Sequence, residues 1–254
     1  MRIRFEKRGH VGLALLDDEP RRNALSSALV GDFLEVMEVS RRDRVRALVI
    51  GSTGKLFCAG ADIAEMLGQD WSEWIESHPG RPTPLDLFEA IEKDPRPIIA
   101  AVGGAAFGGG VELTLACDLV VESEKASFML PELGHGAIPN TAMARLPAVT
   151  GSRIARDLIL TRRRVEADEA LDLGLASRLV PSEQLLGIAT ALAESIVSAP
   201  PGAIAAVKQG MTRTPDWPAI RRMLRTMKAD EYNEGFAAFV EKRQPSFDAH
   251  WNRS

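Results

Sequence analysis

Short apolar runs alternate with segments of helical periodicity through the first part of this chain. The runs Val11–Leu16, 46–50 and Pro97–Val102 are too short for buried helices and lack helical spacing, which is typical of strands inside a domain. In the last part of the chain helical patterns dominate. Because alternating strands and helices build a layered α/β core, this order predicts such a core over residues 1–190 and a helical C-terminal region over residues 191–254.

Polar residues mark where several helices begin. Ser26 or Ser27 can cap a helix that runs to about Arg42 with its apolar side chains on one face. Asp62 is suited to cap a second, short helix. Residues 69–84 have mixed polarity, two tryptophans, three prolines and no clean period, so we interpret them as an irregular insertion that acts as a lid.

The composition is that of an ordinary soluble globular protein. Hydrophobic residues are 45% and charged residues 26% of the 254 positions, and the net charge of −4 argues against a nucleic-acid partner. No apolar run approaches the roughly eighteen residues of a membrane span, and the N-terminus lacks a signal-peptide pattern, so we expect no membrane association and a cytoplasmic location. Cys58 and Cys117 have no paired Cys/His spacing, which disfavours a metal site or a disulfide framework.

A run of three glycines, Gly108 to Gly110, precedes Glu112. Its spacing matches neither a dinucleotide-binding fingerprint nor a phosphate-binding P-loop. Two interpretations remain open. The glycines form a tight strand-to-helix turn that only their backbone freedom allows, or they leave the N–H groups of a helix N-terminus bare for an anion or a developing oxyanion. Glu112 fits both, because a carboxylate in the first helical turn also interacts favourably with the helix dipole.

A second stretch of small residues lies upstream at 58–62. Asp62 is expected to cap the short helix, and Ala61 just before it leaves its N–H uncrowded by any bulky side chain. A donor at Ala61 can pair with one at Gly109. Two such donors on one oxygen form an oxyanion hole, and the loss of one typically costs about 10²–10³ in rate.

Glu132 follows a proline and lies among the apolar residues Phe128 to Leu133. A carboxyl group in an apolar pocket has a raised pKa and can act as an acid near neutral pH. A surface turn glutamate is the alternative. His135, between two glycines, is interpreted as a loop residue that supports the site rather than as a base.

Together these motifs resemble the enoyl-CoA hydratase/isomerase, or crotonase, superfamily. The resemblance rests on Ala-Gly-Ala-Asp-Ile at 59–63, on the segment 99–113 that contains the glycine run, on Pro-Glu-Leu-Gly at 131–134 and on the C-terminal segment 234–243. It extends from about Ile3 to Phe247. The fold that it implies is an α/β spiral of ββα units with a helical C-terminal trimerisation region, assembled as a homotrimer or a dimer of trimers. The implied partner is an acyl-CoA thioester; no metal and no separate cofactor is needed, because coenzyme A is carried by the substrate.

The resemblance also assigns roles to individual residues. Ala61 and Gly109 match the positions whose N–H groups form the oxyanion hole, and Glu112 and Glu132 match the two glutamates of the hydratases. By this resemblance Glu112 activates water for attack at C3, while Glu132 delivers a proton to C2. A basic residue at Arg21 or Arg22 corresponds to one that binds the CoA phosphates, and a C-terminal lysine corresponds to one that contacts CoA, often across a subunit boundary. The predicted CoA-binding residues are Arg21, Arg22, Ala59, Asp62, Ile63 and Lys242.

Two departures from the family pattern bear on the substrate. Hydratases of the family often carry Ile-Pro-Gly-Ala-Gly-Gly-Thr-Gln-Arg-Leu after the second glutamate, whereas Asn140-Thr141-Ala142-Met143 stand here in place of those glycines. Ala64 replaces a lysine that often contacts CoA. The leading hypothesis is a 2-enoyl-CoA hydratase. Isomerisation, dehydration or hydrolysis of an acyl-CoA is the alternative. A third hypothesis is a non-catalytic binding protein of the same fold, which the net negative charge and the presence of both glutamates disfavour.

Overall fold

The computed structural model describes residues 1–68, 80–199, 201–211 and 229–246, and in this part of the chain the strands form two sheets. The strands are β1 (Ile3–Arg8), β2 (Val11–Leu16), β3 (Ala47–Ser52), β4 (Leu56–Cys58), β5 (Ile98–Val102), β6 (Ala105–Phe107), β7 (Leu119–Ser123), β8 (Ser127–Met129), β9 (Val165–Glu166) and β10 (Arg178–Val180).

The helices lie between and after these strands. They are α1 (Ser27–Arg42), α2 (Ile63–Met66), α3 (Pro84–Lys93), α4 (Gly109–Ala116), α5 (Ala142–Thr150), α6 (Ser152–Thr161), α7 (Ala167–Asp172), α8 (Leu185–Ile196), α9 (Pro201–Met211) and α10 (Ala229–Val240). Short 3-10 turns occupy Glu19–Arg21, Glu132–His135 and Ser182–Gln184. Of the described helices, none combines the length and the apolar character that crossing a bilayer requires.

Successive strand pairs contribute one strand to each of the two sheets. The larger sheet has the order β1-β2-β3-β5-β7-β10 and is parallel apart from the β1–β2 hairpin. The smaller has the order β4-β6-β8-β9 and is parallel except at β8–β9. Each of the pairs β3–β4, β5–β6 and β7–β8 therefore gives its first strand to one sheet and its second to the other. This progression is the predicted spiral of ββα units.

Alternation of side chains along the large sheet divides the core in two. Leu48, Ile50 and Ala100 belong to the main cluster, which also takes residues of the smaller sheet and of α1, α3 and α4. Their neighbours Val49 and Ile99 face the other way and pack with α8. A parallel sheet covered on both faces explains why its strands are continuous apolar runs instead of alternating ones.

Most of the predicted elements are confirmed within a residue or two. Helix α1 ends at Arg42 and has Ser26 as its N-cap, with the hydroxyl oxygen accepting from Leu29 N at 3.2 Å. Asp62 caps α2 by accepting from the backbone N–H groups of Ala64 and Glu65. No strand was predicted at β4 or β6, because three residues are too few for a periodic pattern. Most of the predicted lid, 69–84, lies outside the described residues.

The C-terminal helix α10 packs onto the rest of the chain. Phe236 is buried and forms a small cluster with Ala137, Ile63 and Met66. A Cβ atom placed on Gly235 would lie 1.9 Å from the carbonyl oxygen of His135, so the helix backbone touches the 132–135 turn where no side chain fits. Helix α8 runs through residue 190 and packs on the large sheet. The division at residue 190 and the trimerisation role of the C-terminal region stay predictions.

Candidate active site

Two backbone segments approach closely at the ends of neighbouring strands β4 and β6. A Cβ atom on Gly60, whose φ is 93°, would lie 3.0 Å from Gly109 N, and one on Gly109 would lie 3.3 Å from Ala61 N. The N–H groups of Ala61 and Gly109 are thus neighbours across a gap that only glycine permits. Among the described residues neither N–H finds an acceptor. The pair is available to a ligand oxygen.

Glu112 lies in the first turn of α4 and is held at one oxygen. Its side chain is almost fully buried, and Oε1 accepts hydrogen bonds from Thr141 N at 2.6 Å, Thr141 Oγ1 at 3.1 Å and Ala142 N at 3.1 Å. Because Ala142 begins α5, the carboxylate also lies at a helix N-terminus, which favours its charged form. Burial raises the pKa of Glu112, and the three hydrogen bonds oppose that rise.

Glu132 begins the 3-10 turn that packs over the glycine run. A Cβ on Gly108 would lie 2.7 Å from Glu132 Oε1, which places this carboxylate against the start of α4. Its Oε2 is buried and has no hydrogen-bond partner among the described residues. Burial, followed by repulsion from Glu112, raises the pKa of Glu132 to about 8. Because the charge of Glu112 acts on Glu132, the two carboxyl groups titrate as a pair.

The residues predicted to bind CoA are brought together only in part. Arg21 Nη1 lies 3.1 Å from Asp62 Oδ2, and Ala59 N donates to the carbonyl oxygen of Arg22 at 3.1 Å. Ile63 follows directly at the start of α2. These five residues consequently form one rim beside the paired N–H groups. Arg21 remains half exposed although its guanidinium is paired with Asp62.

Lys242 lies elsewhere, just beyond the end of α10. It lines a cleft of about 580 Å³ together with Pro131, His135 and Arg162, and none of the other predicted CoA-binding residues lines that cleft. The ring of His135 stands edge-on to Phe239 with the ring centroids 5.4 Å apart. Burial and the nearby charge of Arg162 lower the pKa of His135, so the imidazole is neutral at physiological pH.

No catalytic or binding role was predicted for Thr141 and Ala142, and the structure places them against Glu112. Replacement of the family's glycines preserves the donors, because backbone N–H groups at a helix start do not require glycine. It also adds a hydroxyl group. Among the described residues, no cluster of His, Cys, Asp or Glu side chains is suited to hold a metal ion.

A two-sheet spiral with bare N–H groups beside two coupled carboxyl groups defines a protein of the crotonase class. The model of the enoyl-CoA hydratase/isomerase family matches residues 6–250, and the chain belongs to that family. It is 37% identical over 251 residues to a probable enoyl-CoA hydratase of Rhizobium meliloti, covering 95% of this chain and 96% of the relative.

Other relatives are named for different reactions. The chain is 33% identical to a carnitinyl-CoA dehydratase of Citrobacter koseri, with 96% of this chain and 97% of the relative covered. The crystal structure of an enoyl-CoA hydratase/isomerase from Pseudoalteromonas atlantica T6c superposes with a TM-score of 0.85 at 27% identity, covering 97% of this chain and all of that one. The family is thus shown by sequence and by fold, while several reactions occur within it.

Proposed function

We propose that the protein is an enoyl-CoA hydratase that adds water across the 2,3 double bond of an acyl-CoA thioester. The observation that carries the proposal is the pair Glu112 and Glu132, one carboxyl group held by three hydrogen bonds and the other with a buried oxygen and a pKa that burial raises to about 8. An acid and a base of unequal pKa side by side are what addition of water to a conjugated double bond requires.

In the proposed mechanism the thioester oxygen accepts hydrogen bonds from Ala61 N and Gly109 N. Glu112 takes a proton from water as its oxygen attacks C3, and the electron pair of the double bond moves onto the thioester oxygen as an enolate. The two N–H groups stabilise that negative charge. Glu132 then transfers its proton to C2. The proton that Glu112 took from water passes to Glu132, which restores the starting state of the pair. Each proton transfer contributes about 10²–10⁴ in rate.

The rim beside the oxyanion donors is proposed to hold the CoA portion of the substrate. Its members are Arg21, Arg22, Ala59, Asp62 and Ile63, and the partly exposed guanidinium of Arg21 supports a phosphate contact. Because Lys242 lines a different cleft of the same chain, its proposed contact is with CoA in a neighbouring subunit. The proposal needs neither a metal nor a separate cofactor.

We also propose a homotrimer or a dimer of trimers in the cytoplasm. Val207 and Met211 on α9 expose 60% and 79% of their surface in the single chain, which supports burial of this region in an assembly. No membrane or nucleic-acid partner is proposed.

Purified protein incubated with short, medium and aromatic 2-enoyl-CoA thioesters tests the function. We expect loss of the conjugated enoyl absorbance and a product heavier by one water. Glu112→Gln and Glu132→Gln each remove one proton-transfer group, so we expect kcat to fall by about 10²–10⁴ in each variant. Glu124→Gln, which changes an exposed glutamate in the turn between β7 and β8, is the matched control and should retain full activity.

Dehydration of a 3-hydroxyacyl-CoA is the second candidate function. Curated relatives include carnitinyl-CoA dehydratases, and dehydration of a 3-hydroxyacyl-CoA is the reverse of the same proton transfers at the same pair. Binding of CoA thioesters with neither gain nor loss of water would contradict both and would favour isomerisation or hydrolysis.

A further inference from the structure

The carboxylate of Glu112 is held asymmetrically. Oε1 accepts the backbone N–H groups of Thr141 and Ala142 and the Thr141 hydroxyl, whereas no donor for Oε2 is found among the described residues. A carboxylate oxygen offers about two lone-pair directions, so three donors saturate Oε1. A proton cannot add to Oε1 without displacing a donor. Oε2 is left as the atom that water can reach.

The hydroxyl group differs from the two backbone donors because a side-chain substitution can remove it. Thr141 is completely buried, and its Oγ1 lies 3.1 Å from Glu112 Oε1. A hydroxyl facing an ionised carboxylate can only donate, and hydrogen bonds to charged groups are the strong ones. Glu132 has no such donor: its buried Oε2 lacks a partner in the described part of the chain.

The other charged groups near Glu112 are engaged elsewhere. In α3, which packs against α4, Asp86 accepts from the cap residue of its own helix and Glu89 pairs with Lys93. Glu92 of α3 and Arg145 of α5 form an ion pair with each other. Glu132 is therefore the titratable group whose charge acts on Glu112, and a proton bound by the pair can lie on either carboxyl group.

We propose that Thr141 is a positioning residue, whose hydroxyl group fixes Glu112 and determines that Glu132 holds the shared proton. The proposal rests on the proposed function for its catalytic consequence, but the placement of the proton can be measured without turnover. With the hydroxyl present, Glu112 is the ionised member and Oε2 accepts the proton of water. Without it, the proton moves partly onto Glu112, and the base is lost over part of the pH range.

Infrared difference spectra recorded during a pH titration test the placement directly. The carboxyl band of Glu112 is isolated by subtracting Glu112→Gln spectra from those of the parent. In Thr141→Val we expect the titration of Glu112 to move up by about one to two pH units, the shift that corresponds to losing one hydrogen bond to a charged group. Thr141→Ser, which keeps the hydroxyl, should restore the parent titration.

Kinetics provide the second readout. The acidic limb of the kcat profile should move up by the same amount in Thr141→Val, with kcat near neutral pH lower by about tenfold or more and KM nearly unchanged. Thr150→Val is the matched control, because it removes another buried threonine hydroxyl, one that donates to Leu146 O at 3.1 Å and to Gly151 O at 3.3 Å. It should change stability without moving either titration.

The outcomes separate the two proposals. An unchanged Glu112 titration in Thr141→Val would overturn the role of Thr141, and Thr141→Ala gives the same test should the valine variant not fold. A shifted titration in a protein that hydrates no enoyl thioester would support the positioning role and contradict the hydratase assignment.

Discussion

At the scale of single residues, the site depends on backbone approaches that a Cβ atom would block. Gly108 has φ 52° and lies beneath Glu132, and Gly60 has φ 93° beside the N–H of Gly109. The sequence left open whether the glycine run serves a turn or exposes N–H groups. The structure shows that it does both, because the same turn that requires glycine leaves Gly109 N without an acceptor among the described residues.

Gly108→Ala tests this dependence. The new Cβ would lie 2.7 Å from Glu132 Oε1, and a backbone with φ 52° and ψ −119° costs a non-glycine residue about 1–3 kcal/mol. We expect displacement of Glu132 and a fall in kcat of about 10²-fold, as for a misplacement of about 1 Å. Gly54→Ala is the control, since its Cβ meets its nearest neighbour at an ordinary 3.9 Å. Full activity in Gly108→Ala would show that Glu132 does not depend on this contact.

At the scale of elements, prediction succeeded where an element is long or capped. Helix α1 has a cap and sixteen residues, and its bounds follow from the sequence. Strands β4, β6 and β9 have three residues or fewer, too short for any periodic signal, and are held by pairing with distant strands. The hydrogen bond between Thr141 and Glu112 likewise links residues 29 positions apart, so no local pattern contains it.

The docking of α10 on the 132–135 turn can be tested at Gly235. A Cβ there would meet the carbonyl oxygen of His135 at 1.9 Å, which forces the helix away from the turn that begins with Glu132. We expect Gly235→Ala to lower both kcat and thermal stability. Gly187→Ala in α8 is the matched change, because nothing lies within 4 Å of its Cβ, and we expect it to stabilise by up to about 1 kcal/mol. Equal kcat and equal thermal stability in Gly235→Ala and Gly187→Ala would contradict the close contact between α10 and the turn.

At the scale of the whole molecule, one buried acid outside the site links stability to pH. Glu122 on β7 is completely buried, and neither of its carboxylate oxygens has a partner in the described part of the chain. Burial, with a smaller contribution from Asp168, raises the pKa of Glu122 to about 8. In the unfolded chain a glutamate titrates near 4.3. Between these values the folded protein keeps a proton that the unfolded chain has lost.

Stability should therefore decrease as pH rises through this window. Glu122 alone contributes a loss of up to about 1.4 kcal/mol per pH unit, which ends above about pH 8 where both states are ionised. We expect Glu122→Gln to match the parent near pH 5 and to exceed its unfolding free energy by a few kcal/mol at pH 8. Denaturant unfolding at several pH values measures this, with Glu124→Gln as the exposed control. Parallel stability curves for parent and Glu122→Gln would contradict the buried acid.

The central claim is that water adds across the double bond through Glu112 and Glu132. Its most direct test is turnover of a 2-enoyl-CoA in deuterated water, with the product analysed by NMR and mass spectrometry. We predict a 3-hydroxyacyl-CoA that carries one deuterium at C2 and a hydroxyl group at C3. A product with its double bond between C3 and C4, deuterium at C2 and no added water, or free coenzyme A without addition of water to the double bond, would contradict the account.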